Sequence, residues 1–351
     1  MNESDSSIVA VRDISKEFPL KRESIRGPRR ALRAVDRAEL RIAEGTTTGL
    51  VGESGSGKST LGRLIAGLEQ PTDGLLSVLG EDLSFPLRGA QRKILRRNLQ
   101  MVFQDPYSSF DPSARIGSSI AEPLRAHTRE SPAAQRSATH EALRTVGLAP
   151  DFAARFPKQM SGGQLQRAAI ARALVLRPRV LVLDEPVSAL DVSTQAQVVN
   201  LLGDIQSQMN VAYLFISHDL AVVRHVSDRI AVMYLGRIVE EGPAGAVYDR
   251  PKHPYTAALL SAVPKIKANE RAAQNFLLKG EAPSPANLPS GCRFRTRCPF
   301  AMPVCAEVDP PTFPTEGGGT VRCHLHTEGP ELKGRSVRSL TAPIQSGRPT
   351  T

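Results

Sequence analysis

The chain has 351 residues, 40% of them hydrophobic and 23% charged, which suits two domains or one large domain with an appendage and excludes a disordered chain. Lysine and arginine number 45 against 35 acidic residues, a net charge of +10; the excess favours nucleotides, nucleic acid or the inner membrane surface as partners. No run approaches the roughly 18 apolar residues of a membrane span, and MNESDSSIVAVRD lacks the pattern of a secretory signal, so a cytosolic protein is expected.

In chain order, residues 21–33 carry Lys21, Arg22, Arg26, Arg29, Arg30 and Arg33 against Glu23 alone. Such a run is a solvated loop or, less commonly, a contact patch. Residues 46–51 (TTTGLV) form a strand that ends in a glycine-rich turn. Behind the turn, Leu61, Leu64, Ile65 and Leu68 recur at the spacing of one apolar helix face. Residues 105–160 are rich in Pro, Ser and Ala, with helical spacing over 139–148, and read as a helical insertion reaching to about 172. The apolar runs 180–183 and 213–216 fit strands buried on both faces. RIAVMYLGRIVEEG (229–242) fits two strands joined by a tight turn at Leu235-Gly236.

A Pro/Ser/Ala-rich connector (264–291) leads to a cysteine-bearing segment ending near 326. Residues 327–351 are polar without periodicity and are expected to be disordered. No internal repeat is found. Alternating strands and helices predict an α/β fold with a parallel sheet covered by helices.

Gly52-Glu53-Ser54-Gly55-Ser56-Gly57-Lys58-Ser59 matches G-x-x-x-x-G-K-[ST] between a predicted strand and helix. Glycines there let backbone N–H groups close around phosphate oxygens, and the helix N-terminus favours the negative charge. Lys58 can reach the β- and γ-phosphates, the Ser59 hydroxyl can ligate Mg²⁺, and Thr60 completes the binding stretch. The strand 180–183 delivers Asp184 and Glu185 to the sheet edge. There Asp184 can hold Mg²⁺ and Glu185 can polarise a water for attack on the γ-phosphate.

Met160-Ser161-Gly162-Gly163-Gln164 resembles the signature motif of ABC-transporter ATPases. In the same family order, Gln104 (VFQDP) resembles the Q-loop glutamine, Ser188 to Asp191 the D-loop, and His218 (FISHD) the switch histidine. Phe18 stands where the family has an aromatic that stacks on adenine. The sequence departs from the pattern at Met160, usually Leu, and at Leu165, often polar.

The resemblance spans about residues 8–245 and implies a nucleotide-binding domain over 8–263, with a P-loop core, an antiparallel β subdomain and a helical subdomain at about 105–172. It further implies a head-to-tail dimer in which the Walker motifs of one subunit face Ser161, Gly162 and Gly163 of the other across ATP. His218 would orient the attacking water, while Gln104 would contact Mg²⁺ and sense nucleotide.

QDPYSSFDP (104–112), HPYTAALLSAVP (253–264), GEAPSPANLPSGC (280–292) and RCPFA (297–301) are similar to the ATP-binding subunits of oligopeptide and dipeptide importers. That likeness implies two membrane permeases, a second ATPase, an extracytoplasmic binding protein and a place on the cytoplasmic face of the inner membrane. Selective binding of nucleic acid is not expected from it. A soluble ABC ATPase acting on nucleic acid or ribosomes is the alternative that the net charge suits, and a nickel-chelate cargo is another.

All four cysteines, Cys292, Cys298, Cys305 and Cys323, lie in the last fifth of the chain. Metal binding is the leading reading of such a cluster in a cytosolic protein. The wide spacing and Pro299 favour a [4Fe-4S] cluster, which some relatives carry, over zinc with His324 or His326 as extra ligands. Free or disulfide-linked thiols are the third possibility.

Overall fold

The computed structural model describes residues 7–20, 31–262, 280–328, 332 and 334–340. Most of the basic run 21–33 and of the connector 264–291 therefore lies outside the described residues. The chain begins with β1 (Ser7–Pro19), β2 (Ala31–Ala43), β3 (Thr47–Val51), α1 (Lys58–Ile65), β4 (Asp73–Val78) and β5 (Glu81–Leu83). After α2 (Gly89–Asn98) and β6 (Leu99–Val102) come the helices α3 (Ile116–His127), α4 (Pro132–Thr145) and α5 (Gly162–Leu174). Strands and helices then alternate: β7 (Val180–Asp184), α6 (Val192–Met209), β8 (Ala212–Ser217), α7 (Leu220–Val226) and β9 (Arg229–Tyr234). The last elements are β10 (Arg237–Pro243), α8 (Ala244–Asp249), α9 (Pro254–Ser261), α10 (Val304–Glu307), β11 (Thr312–Thr315) and β12 (Gly319–Arg322).

Two sheets result. The smaller is antiparallel in the order β2-β1-β4-β5; the larger runs β11-β12-β10-β9-β3-β8-β7-β6. In the larger sheet the strands from β9 to β6 are parallel, and β10, β12 and β11 extend it antiparallel. Alternation explains how β7 serves two cores. Leu181 and Leu183 enter one apolar core with α5 and α6, whereas Val180 and Val182 enter another with α1. Every residue of β7 and β8 is buried, as a strand covered on both faces must be.

Local chemistry sets the ends of these elements. Helix α1 stops at a left-handed glycine, Gly67 (φ 66°), whose N–H donates to Leu64 O while Leu68 N–H donates to Arg63 O. This Schellman closure turns Leu68 out to 53% exposure, so the fourth residue of the predicted apolar face does not join it. The turn between β9 and β10 has Leu235 at φ 43° and Gly236 at φ 85°, the left-handed pair that suits the twist of a two-residue hairpin.

The C-terminal segment builds a small apolar cluster with α9: Val321, Cys323, Leu325, Leu332 and Val337 pack with Ala257 and Ala258. It adds β12 to β10, with Glu240 opposite Val321 and Glu241 opposite Thr320. The expected disordered tail is also corrected in part. Leu332 and Val337 are buried against Ala257, Ala258, Val321 and Leu325, and Val337 N–H donates to Pro251 O at 3.0 Å. Two apolar residues in a polar stretch have no periodicity to betray them, yet they suffice to seat it. Among the described residues, no helix is long and apolar enough to cross a membrane.

Candidate nucleotide-binding site

The residues singled out for nucleotide chemistry converge at the C-terminal edge of the parallel strands, where open α/β sheets place ligands. A cleft of about 690 Å³ is lined by Ser54, Gly55, Gly57, Lys58, Ser59 and Thr60 of the phosphate loop. Phe18 of β1, Gln104 after β6, Glu185 after β7 and His218 after β8 close its other sides. Gly57 is obligatory for the loop's path. It holds φ 106°, and a Cβ there would stand 2.2 Å from Ala34 O. Phe18 carries the Lys16 ammonium 4.9 Å from its ring centroid.

Polar groups inside the cleft are wired to each other. Lys58 is buried, and its Nζ donates to Gly52 O at 2.7 Å and Glu53 O at 2.9 Å. Burial pulls its pKa down, against the opposing pull of Glu185, Asp184 and Glu53. Ser59 Oγ donates to Asp184 Oδ1 at 2.8 Å. Burial raises the Asp184 carboxyl, partly offset by the Ser59 hydrogen bond. Glu185 accepts from Gln104 Nε2 at 2.9 Å on one oxygen and lies 3.3 Å from His218 Nδ1 on the other. It also holds φ 48°, a sparsely populated backbone state for a residue with a side chain, of the kind that collects at functional sites.

The signature residues are not part of this cleft. Ser161 caps α5: its Oγ accepts Gln164 N–H at 3.3 Å, and Gln164 Oε1 accepts Ser161 N–H at 3.1 Å. Gly163 admits no side chain, because a Cβ would stand 2.4 Å from Thr194 Cγ2. Asp191 caps α6, accepting Thr194 N–H at 3.0 Å, and hydrogen bonds from Ser193 and Thr194 hold its carboxyl far below the usual range. Ser161, Gly162, Gly163, Gln164 and Asp191 thus stand at two helix starts away from the chain's own phosphate loop. Within one chain the two halves of the motif set stay apart.

Three residues that motif reasoning passed over also belong here. Glu53 N–H donates to Tyr255 Oη at 2.8 Å, and the Glu53 carboxylate is gripped by Arg297 at 2.7 and 3.0 Å. Pro285 lines the cleft. All three lie in the stretches that gave the importer likeness, which was the only signal available for them.

The four cysteines of the expected metal site come together. The four thiols line one cavity of about 10 Å³, room for a single water at most. All four are free cysteines. Burial pushes Cys292 up to about 11 and Cys298 up to about 12, and Cys323 well above its ordinary value. Among the described residues the buried Nδ1 of His324 beside them has no partner, while His324 Nε2 bonds Val308 O and His326 Nε2 bonds Lys252 O, each at 2.9 Å. Among the described residues no three His, Cys, Asp or Glu side chains stand where they could hold a metal ion. The donor set of the expected centre is still gathered in one place.

Comparison with known proteins bears on the whole chain. Residues 35–188 match the ABC transporter family, and residues 239–305 match the C-terminal region of oligopeptide/dipeptide transporters. The oligopeptide transport ATP-binding protein AppF of Bacillus subtilis (strain 168) is 47% identical over 322 residues, 92% of this chain and 98% of that one. The chain belongs to the ATP-binding subunits of oligopeptide ABC transporters. The corresponding protein OppF of Salmonella typhimurium shares 49% identity with this ABC ATPase over 86% of its length and 92% of OppF. A dimeric ATP-binding cassette, MJ0796, solved with ADP and Pi in a post-hydrolysis state, superposes with a TM-score of 0.60 at 29% identity. It covers 67% of this chain and 98% of the cassette.

Proposed function

We propose that this ATPase powers uptake of oligopeptides through a membrane permease pair, working on the cytoplasmic face of the membrane beside a second ATPase of the same type. An extracytoplasmic binding protein would hand the peptide to the permeases. The cargo rests on the named relatives; the engine rests on the chain's own residues.

ATP would lie in the cleft with adenine against Phe18 and its phosphates on the loop Gly52 to Thr60. Lys58 neutralises the β- and γ-phosphates as a charge-assisted donor. Hard oxygen ligands suit Mg²⁺, and the pair Ser59–Asp184 fits: a buried carboxyl raised by desolvation gains from a cation. Gln104 stands within reach of the same group. The ion would neutralise charge on the β- and γ-oxygens. Glu185 takes the proton of the attacking water, and His218, beside it, orients that water and the γ-phosphate. The single observation that carries this reading is the bonded set Gln104–Glu185–His218 facing Lys58 and Ser59 across one cleft.

Ser161, exposed, and Gly162 and Gly163, half-buried, stand at a helix start and complete the site of the partner ATPase rather than their own. Glu185→Gln should therefore keep ATP binding, stop turnover and accumulate a closed dimer on size-exclusion chromatography with ATP. Hydrolysis at the parental rate in that variant would remove Glu185 as the base. A mild-detergent pull-down from native membranes should return two permeases and a sibling ATPase. Nucleic acid in their place would overturn the transporter reading.

A further inference from the structure

The phosphate loop is held from behind by the C-terminal segment. Glu53 is the second residue of the loop, and its carboxylate takes two bonds from Arg297, 244 residues later: Nη1 to Oε2 at 2.7 Å and Nη2 to Oε1 at 3.0 Å. Arg297 is 9% exposed, and this paired, bidentate geometry raises its pKa further. Tyr255, fully buried in α9, accepts the Glu53 backbone N–H at 2.8 Å. On the inner side Lys58 Nζ donates to Glu53 O at 2.9 Å. The backbone of one loop residue is thus fixed at its N–H by the C-terminal region and at its carbonyl by the phosphate-binding lysine.

The support behind this contact is rigid. Tyr234, Tyr255 and Phe294 pack at centroid distances of 4.6 to 5.4 Å, which joins the end of β9, α9 and the cysteine-bearing segment. Arg293 pairs with buried Asp36, and Arg237 Nε reaches the same carboxylate at 2.8 Å. Asp36 N–H in turn donates to Gly236 O at 2.9 Å, and Gly236 N–H to Ser56 O at 2.8 Å. Two independent lines of contact therefore run from residues 293–297 to the loop.

From this we infer that Arg297 and Tyr255 are positioning residues for ATP: the C-terminal segment preorganises the phosphate loop and so sets its nucleotide affinity. The inference rests on the proposed reading of the cleft as the ATP site. Two effects act in one direction. A loop already ordered does not lose that freedom on binding. Arg297 also neutralises the Glu53 carboxylate, which would otherwise stand unpaired close to a triphosphate.

The test uses the purified full chain with a fluorescent ATP analogue, and ATP hydrolysis as a second reading. Arg297→Ala should weaken nucleotide binding about tenfold, a loss of about 1.4 kcal/mol, and raise KM for ATP far more than it lowers kcat. Arg297→Lys should restore part of the loss, since it returns the charge without the fork. Tyr255→Phe removes only the hydroxyl and should weaken binding about threefold, of the order expected for one hydrogen bond, with the melting temperature nearly unchanged. In a double-mutant cycle, Arg297→Ala and Glu53→Gln together should cost little more than either alone. Parental affinity in both Arg297→Ala and Tyr255→Phe would overturn the clamp, as would equal losses in KM and kcat. If Lys58→Ala binds the analogue as well as the parent does, the cleft itself is misread and the clamp falls with it.

Discussion

The nucleotide cleft and the cysteine-bearing segment meet at Glu53, yet they are built on opposite plans. In the cleft, chemistry is carried by short contiguous motifs whose residue types are dictated by local geometry: Gly57 because a Cβ would strike Ala34 O, Asp184 because β7 ends there. In the segment, what matters is joined over long range. Arg297 finds Glu53, Arg293 finds Asp36, and β12 finds β10. The cleft is a ligand site that needs its loop; the segment is a brace that makes the loop stiff. The difference separates residues that touch ATP from residues that set how well ATP is held.

The sharpest way to break the brace is at Asp36. It is 4% exposed on its side chain and pairs with Arg237 at 2.7 Å and with Arg293. Burial raises its pKa while the two arginines lower it, and the net is a carboxyl held below its ordinary value. Asp36→Ala leaves the buried Arg293 without its anion and Arg237 with Asp309 alone, and removal of one partner of a buried pair costs about 3–5 kcal/mol. Urea unfolding should read that loss, and a cost within the scatter of surface substitutions would mean that solvent replaces the anion. At the cleft, Lys58→Ala should weaken ATP by about a hundredfold, since hydrogen bonds to charged groups contribute about 1.5–3 kcal/mol each. Fluorescent-ATP titration reads it, with unfolding stability nearly unaffected. Lys58→Ala should thus fail in the binding assay alone, whereas Asp36→Ala should fail in unfolding and, through the loosened loop, in binding as well.

The parallel sheet, the phosphate loop, the carboxylates after β7 and the β9–β10 hairpin were all legible, because each is encoded within a dozen consecutive residues. Leu68 was misread because helix periodicity does not register the glycine at 67 that ends α1. The tail was misread because Leu332 and Val337 are packed by partners from α9 and β12. Arg297 carried no local mark of this role beyond its place in the RCPFA stretch of the importer likeness. The cysteines drew attention to a metal, and the fold does gather all four thiols around one cavity of about 10 Å³.

Those thiols offer a further contrast with the open cleft. Cys292 and Cys298 are pushed up from 9.0 to about 11 and about 12, so the thiolate fraction at pH 8 falls about a hundredfold or more. Iodoacetamide should modify them at less than a hundredth of the rate seen after unfolding, by mass spectrometry of timed samples. Stoichiometric iron and sulfide in anaerobically purified protein would overturn the packed-thiol description.

The smallest expected effect is a pH dependence at His253, the residue that caps α9 by accepting Tyr255 N–H on Nδ1 at 3.0 Å. Burial, with a smaller push from His326, lowers its pKa from 6.5 to about 3. Between those values only the unfolded chain binds the proton, so stability falls as pH falls below 6.5. Between pH 7.5 and 5 this amounts to about 2 kcal/mol. Glu240, buried and raised from 4.5 to about 7, works in the other sense over the same window: the folded chain binds its proton first, and stability falls as pH rises. The two slopes partly cancel in the parent, so the test is a difference. His253→Asn keeps a good helix cap and leaves the bonds from Lys252 and His253 N–H to Glu240 in place. Its urea midpoint should lose less on acidification than the parent's. Parallel curves would mean that His253 is protonated in the folded chain, and that α9, which supplies Tyr255 to the loop, is capped by something other than a neutral imidazole.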